Sequence, residues 1–128
     1  MVFDTNVLVS AIAMPGSRGD EALRRIAQGR DQLLFSRPIL GELLEVLARK
    51  FERNAEELSR VALLIGALGE MVGPAERVTV LADEPDNRIL ECALSGGADA
   101  VVTGDKKMLA LGTWRQVRMM SLANFLAT

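Results

Sequence analysis

The chain contains no histidine and no tyrosine, one cysteine and one tryptophan. Each absence closes a route. Without histidine there is no imidazole to act as a general base, to activate a serine or cysteine nucleophile, or to ligate a metal. One cysteine cannot form an internal disulfide, so Cys92 reads as a small buried apolar residue in a reducing, cytoplasmic protein. Aromatic residues make up 4% of the chain, so its core has to be aliphatic. No apolar run approaches the roughly 20 residues that span a bilayer. The opening MVFDTNVLVSAIAM lacks the basic start of a secretion signal, and no membrane partner is expected. A large charge of one sign is also missing: 15 basic and 17 acidic residues leave a net charge of −2. Bulk charge alone does not mark a nucleic-acid binder. Bound metal that neutralised a few acids would reverse that sign.

What is present is globular. The 128 residues are 49% hydrophobic and 25% charged, enough for a single domain over 1–128 with a real core. Short apolar runs alternate with helical patterns. Val2-Phe3 reads as a first strand and 5–13 as a helix, ended by Pro15-Gly16. Residues 18–28 have helical spacing. Residues 32–35 read as a second strand, followed by Ser36 as an N-cap and Pro38 in the first turn of the next helix. Residues 55–71 read as one helix and 77–81 as a third strand. A helix opens at Asp83-Glu84-Pro85-Asp86 and closes at Gly96-Gly97. Residues 100–103 form a fourth strand, 106–111 a short helix and 117–120 a fifth strand, and Ser121 caps a last turn. This alternation predicts an α/β fold, a three-layer α/β/α sandwich around a central parallel sheet of about five strands.

In open parallel sheets, ligands bind beyond the carboxyl ends of the strands. Acids stand there repeatedly. Asp4 follows the first strand, and Glu42 lies within two turns of the start of the helix after the second. Asp86 lies in the first turn after the third, and Asp105 ends the fourth. Each has a plain structural alternative. Asp4 and Asp105 can cap the helices that follow them, Asp86 can pair with Asp83 at a helix start, and Glu42 can be a solvated helix residue. Together they are harder to dismiss. Two carboxylates about 6 Å apart repel by roughly 3 kcal/mol at an effective dielectric near 20. Four such groups would threaten a domain whose whole stability is about 5–15 kcal/mol. A convergent cluster therefore calls for a cation, and all-oxygen ligands without His or Cys suit Mg²⁺ or Mn²⁺.

Four pieces occur in order: Val2-Phe3-Asp4-Thr5-Asn6, Glu42-Leu43 after Ser36-Arg37-Pro38, Asp86-Asn87-Arg88-Ile89-Leu90-Glu91-Cys92-Ala93, and Val102-Thr103-Gly104-Asp105-Lys106-Lys107-Met108-Leu109. The set resembles the PIN domain family, and within it the VapC-like toxins of toxin–antitoxin pairs. The resemblance implies an acidic pocket holding Mg²⁺ or Mn²⁺, formed by Asp4, Glu42, Asp86 and Asp105. It implies hydrolysis of phosphodiester bonds, usually of RNA, without a covalent intermediate, leaving a 5′-phosphate and a 3′-hydroxyl. Asn6 and Thr103 match supporting polar positions. Asn87 stands where the family often has another acid, and Asp83 is the alternative to Asp86 as third ligand. Arg37, Arg88, Lys106 and Lys107 flank the acids as candidate contacts to backbone phosphates. Trp114 is a candidate for base stacking or for packing.

Two other classes are compatible with an α/β frame. A receiver-type phosphoacceptor wants adjacent acids after the first strand, which Phe3-Asp4-Thr5-Asn6 does not supply. A non-catalytic partner domain would use the apolar stretch 55–73. That stretch could hold a homodimer partner or an antitoxin protein in a groove, and its plain alternative is a buried core helix.

Overall fold

The computed structural model describes residues 1–128. In chain order the elements are β1 (Val2–Phe3), α1 (Thr5–Ala13), α2 (Arg18–Ala27), β2 (Leu33–Phe35), α3 (Arg37–Phe51), α4 (Ala55–Leu68) and β3 (Gly69–Met71). They continue with α5 (Glu84–Gly96), β4 (Ala100–Val102), α6 (Lys106–Leu109), β5 (Thr113–Trp114), β6 (Val117–Met120) and α7 (Leu122–Leu126). The strands form one sheet in the order β3-β2-β1-β4-β6-β5. All neighbours run parallel except the β5–β6 pair. The expected α/β architecture is therefore present, a mostly parallel sheet flanked by helices. The chain walks outward from β1 to β2 and β3, then returns to β4 on the other side of β1. The strand order reverses between β1 and β4, where such sheets open a crevice at their carboxyl edge.

The core is aliphatic, as the shortage of aromatics requires. Val2, Leu33, Val101 and Val102 on the strands are fully buried, with Leu43, Leu47, Ile65 and Leu90 from the helices over them. Phe3 meets Phe125 of α7 edge-on, with ring centroids 5.6 Å apart. Cys92 is a buried free thiol, pushed up to about 12 chiefly by burial. Ser36 stands at the N-cap position of α3, but its hydroxyl makes no cap bond and has no hydrogen-bond partner.

Three expectations about the elements need correcting. The helix from Ala55 stops at Leu68, and Gly69–Met71 is the third strand. Gly69 lies so close to β2 that a Cβ there would stand 3.0 Å from the Leu33 carbonyl oxygen. The stretch 77–81 is not a strand. Its polar backbone is answered by side chains of α5: the Val78 amide donates to Glu91 Oε2 (2.8 Å), and Asn87 Nδ2 donates to the Leu81 carbonyl (2.8 Å) while Asn87 Oδ1 accepts from the Leu81 amide (2.9 Å). Ser95 Oγ accepts from the Ala75 amide in the same way. Residues 87, 91 and 95 share one helix face by their four-residue spacing, so that face does the work of a neighbouring strand. The sheet also has a sixth strand, the two-residue β5. It joins β6 through Arg115 and Gln116, both at positive φ (47° and 71°). Such a tight hairpin turn normally announces itself with Asn or Gly, and neither is present.

The α1–α2 contact carries a prediction. A Cβ on Gly19 would meet the Val7 carbonyl oxygen at 2.8 Å and the Ala11 amide nitrogen at 2.9 Å, both rigid backbone of α1. Glycine to alanine in a helix ordinarily gains up to about 1 kcal/mol. Here Gly19→Ala is expected to lose about 1–3 kcal/mol through overpacking, read as a lower urea midpoint. A gain would show that the two helices part freely.

Candidate active site

The acids are brought to the crevice by the strands beside it. β1 ends at Phe3, and the Asp4 amide donates to the Val102 carbonyl of β4 at 2.9 Å. This bond carries the β1–β4 ladder one residue past the strands and fixes where the Asp4 carboxylate begins. The side chain is buried, and its Oδ2 accepts the Thr103 hydroxyl at 2.7 Å. Asp4 occupies the N-cap position of α1 without making a side-chain cap bond. Burial raises its pKa above the usual carboxylate range and Asp105 adds to this, while the Thr103 hydroxyl opposes the shift. Thr103 serves both sides of the crevice, because its Oγ1 also accepts from the Asp105 amide at 3.0 Å.

Asp86 sits in the first turn of α5, 7% exposed. Its carboxyl is pushed up to about 7, first by burial and then by Asp4, Asp83, Asp105 and Glu42. Glu42, half-buried on α3, is shifted upward by burial, then Asp4, Asp83 and Glu45. α3 packs against α5, which puts Glu42 within electrostatic reach of that cluster. Asp83 precedes α5, exposed and without a side-chain cap bond. Four elements thus deliver mutually repelling carboxylates to one edge of the sheet. No three of them are gathered tightly enough to hold a metal ion as they stand. None of the five cavities in the molecule is lined by Asp4, Glu42, Asp86 or Asp105.

Asp105 does cap a helix: its Oδ1 accepts from the Lys107 amide (2.8 Å) and the Met108 amide (3.2 Å). Both bonds fall on one oxygen, so capping and ligation are not exclusive. Asn87, at the position where the family often has another acid, spends its amide on Leu81. Arg88 is engaged too. It pairs with Glu91 at 3.0 Å and Glu84 at 3.2 Å, and donates to the Val78 carbonyl. Arg37, Lys106, Lys107 and Asn6 are exposed. Trp114 is partly buried against the core, with the Arg115 guanidinium 5.5 Å over its ring. Glu91 is the residue that sequence reasoning missed. Its signal was an acid among Ile89, Leu90, Cys92 and Ala93 on a buried helix.

A parallel sheet with carboxylates crowded at its switch point defines a class of α/β domain built around an acidic edge. The PIN domain family pattern matches residues 1–107, and the chain belongs to that family. PIN domains are generally nucleases that act on phosphodiester bonds with divalent metals. The chain is 32% identical over 111 residues to one of the subunits of the glutamyl-tRNA(Gln) amidotransferase of Saccharolobus solfataricus. The matched stretch covers 84% of this chain but only 16% of that relative. Among solved structures, VapBC2 from Rickettsia felis bound to a DNA fragment from its promoter shares the fold with a TM-score of 0.67. The match has 16% sequence identity and covers 94% of this chain and 98% of the other. No helix is long and apolar enough to cross a membrane.

Proposed function

We propose that this chain is a metal-dependent endoribonuclease and the toxin of a toxin–antitoxin pair. What most supports the reading is the setting of Asp86, whose carboxyl is pushed up to about 7 first by burial and then by Asp4, Asp83, Asp105 and Glu42. Such a cluster invites a cation to relieve it. The donor set fits a hard divalent ion, all oxygen and without His or Cys. Asp4, Glu42, Asp86 and Asp105 would hold Mg²⁺ or Mn²⁺, which has to draw them together. When bound, the ion supplies acidity to water and neutralises phosphate charge. The chain's own groups do the positioning. Thr103 locks the Asp4 carboxylate by its hydrogen bond, Asn6 offers a polar group at the start of α1, and the α6 cap sets Asp105. Exposed Arg37, Lys106 and Lys107 are free to take backbone phosphates. Arg88, already committed to two glutamates, is the weakest of the four candidates. Exposed Leu63 and Leu64 on α4 give an antitoxin, or a second copy of the chain, an apolar surface to cover.

The test is a panel of structured and single-stranded RNAs incubated with purified protein and Mn²⁺, with and without EDTA. Asp4→Asn serves as the control. Cutting that needs Mn²⁺, leaves 5′-phosphates and is lost in the variant is the expected result. Equal cutting by both proteins points to a contaminant and removes the support. Asp105 offers a finer separation. Asp105→Asn keeps an oxygen for the α6 cap and should hold stability within about 0.5 kcal/mol, whereas Asp105→Ala should lose about 1 kcal/mol. Both should lose cleavage alike if the charge is what matters; an active Asp105→Asn would leave that residue only its cap.

A further inference from the structure

One cavity lies at the same sheet edge, and of its lining only Arg37 has a part in the reading above. Arg37 and Pro38 at the start of α3 line it from one side, and Met71, Val72, Gly73 and Pro74 from the other. Its volume is about 360 Å³. The two sides are tied together by the Val72 amide, which donates to the Phe35 carbonyl at 2.7 Å. The cavity therefore lies at the carboxyl ends of β2 and β3, next in the sheet to β1 and Asp4. Strand spacing of about 4.8 Å puts it one to two strands from the acids.

Its chemistry is mixed in a particular way. Arg24, Arg49, Arg60, Arg88 and Arg115 each hold a carboxylate of the protein. Arg37, like Arg18, Arg30, Arg53 and Arg118, holds none, and it stands exposed at the mouth of this cavity. The other walls are apolar, two prolines, a valine and Met71, which is 47% exposed although it belongs to the sheet. Apolar walls and a methionine sulfur suit the face of a planar ring. A free guanidinium beside them suits phosphate oxygens. An anion is also disfavoured at the carboxylate cluster itself, so a cation one step away helps to hold a polyanion across that edge.

We propose that this cavity seats the nucleotide next to the scissile phosphate of a single-stranded RNA. The base lies against Met71 and Pro74, and the phosphate lies on the Arg37 guanidinium. A single strand is required because a base that stacks on protein walls has left the stack of a duplex. The assignment rests on the nuclease reading for its context, but it has its own readout.

Labelled short RNAs are titrated without metal, by fluorescence anisotropy, onto wild type, Arg37→Ala, Met71→Ser and Arg49→Ala. Arg49 is the control, lying on the same helix about 18 Å from Arg37. Arg37→Ala and Met71→Ser are expected to weaken binding about 5- to 10-fold, and Arg49→Ala to leave it unchanged. Arg37→Ala should also flatten the slope of log affinity against log salt by about 0.7, the release of one counterion from a single strand; Met71→Ser should not. Binding within twofold of wild type for both cavity variants, with folding verified by melting, overturns the proposal. So does a duplex of the same sequence that binds as tightly with the same dependence on Arg37. The two readings fail separately. Wild type that cuts RNA with Mn²⁺ while Arg37→Ala binds and cuts normally overturns the cavity assignment and keeps the nuclease. Binding that depends on Arg37, in a wild type that never cuts, keeps the cavity and overturns the nuclease.

Discussion

Replacing Asp86 with asparagine is expected to raise the melting temperature of the metal-free protein at pH 8 by roughly 5–10 °C. The same change should cut RNA cleavage at least about 100-fold, the scale of losing one preorganised charged group. The two effects have one cause. The native carboxyl of Asp86 is pushed up to about 7, from 3.8, by burial and then by Asp4, Asp83, Asp105 and Glu42. The folded state thus holds this proton more tightly than the unfolded chain does. The stability it brings is complete below about pH 4 and is lost as pH rises through about 7. Each pKa unit is worth about 1.4 kcal/mol, so the loss amounts to a few kcal/mol at most. Asparagine has the same shape and no charge to bury. The wild-type melting temperature should therefore fall between pH 4 and 8, and the Asp86→Asn curve should fall less. Mn²⁺ should raise the wild type and raise the variant less, by mass action on the folded state. An unchanged pH slope in the variant, or a lower melting temperature at every pH, would separate Asp86 from the cluster and undo the site.

That conflict between stability and charge is also why the candidate site was legible in the sequence. A fold selected for stability alone has no use for Asp4 at the end of a buried strand or for Asp86 on the inner side of a helix. Strand-end acids stand out against apolar neighbours such as Val2-Phe3 and Val101-Val102. The helices were legible for a similar reason, with Leu43 and Leu47 at helical spacing and Gly97 closing α5 at φ 65°. The third strand was not. Gly69-Glu70-Met71 has almost no intrinsic preference for a strand, and it becomes one because Leu33-Leu34-Phe35 offers an open edge. Arg77-Val78-Thr79-Val80 has a strong preference and no strand beside it. Local propensity favoured the wrong stretch because pairing is decided by a distant partner. The hairpin at Arg115-Gln116 was hidden in the same way, since its turn uses residues that take positive φ at a cost.

The stretch 77–81 leads to the second large effect. Glu91→Ala is expected to cost about 3 kcal/mol or more, a large fraction of the stability of a domain this size. Glu91 is buried and serves two partners with one oxygen: Oε2 takes the Val78 amide at 2.8 Å and Arg88 Nη2 at 3.0 Å. Removing it orphans the Val78 N–H, worth about 1–3 kcal/mol. It also strips the nearer carboxylate from Arg88, whose Nε is already buried without a partner. Glu84 remains to Arg88, but its side chain is 62% exposed and pairs weakly there. Glu91→Gln keeps an acceptor for Val78 and should lose less. The paired change Arg88→Met with Glu91→Leu should recover part of the loss, because apolar substitution removes the stranded charge. Recovery cannot be full, since the backbone of Val78 would still lack its partners. Urea unfolding gives the energies, and amide exchange at Val78 and Leu81 shows where they act. Glu91→Ala within about 0.5 kcal/mol of wild type would mean that the segment is held by its apolar contacts alone. Faster exchange at both amides, with α5 still protected, would show that this face of the helix positions the strand-like segment leading into Asp83 and Asp86.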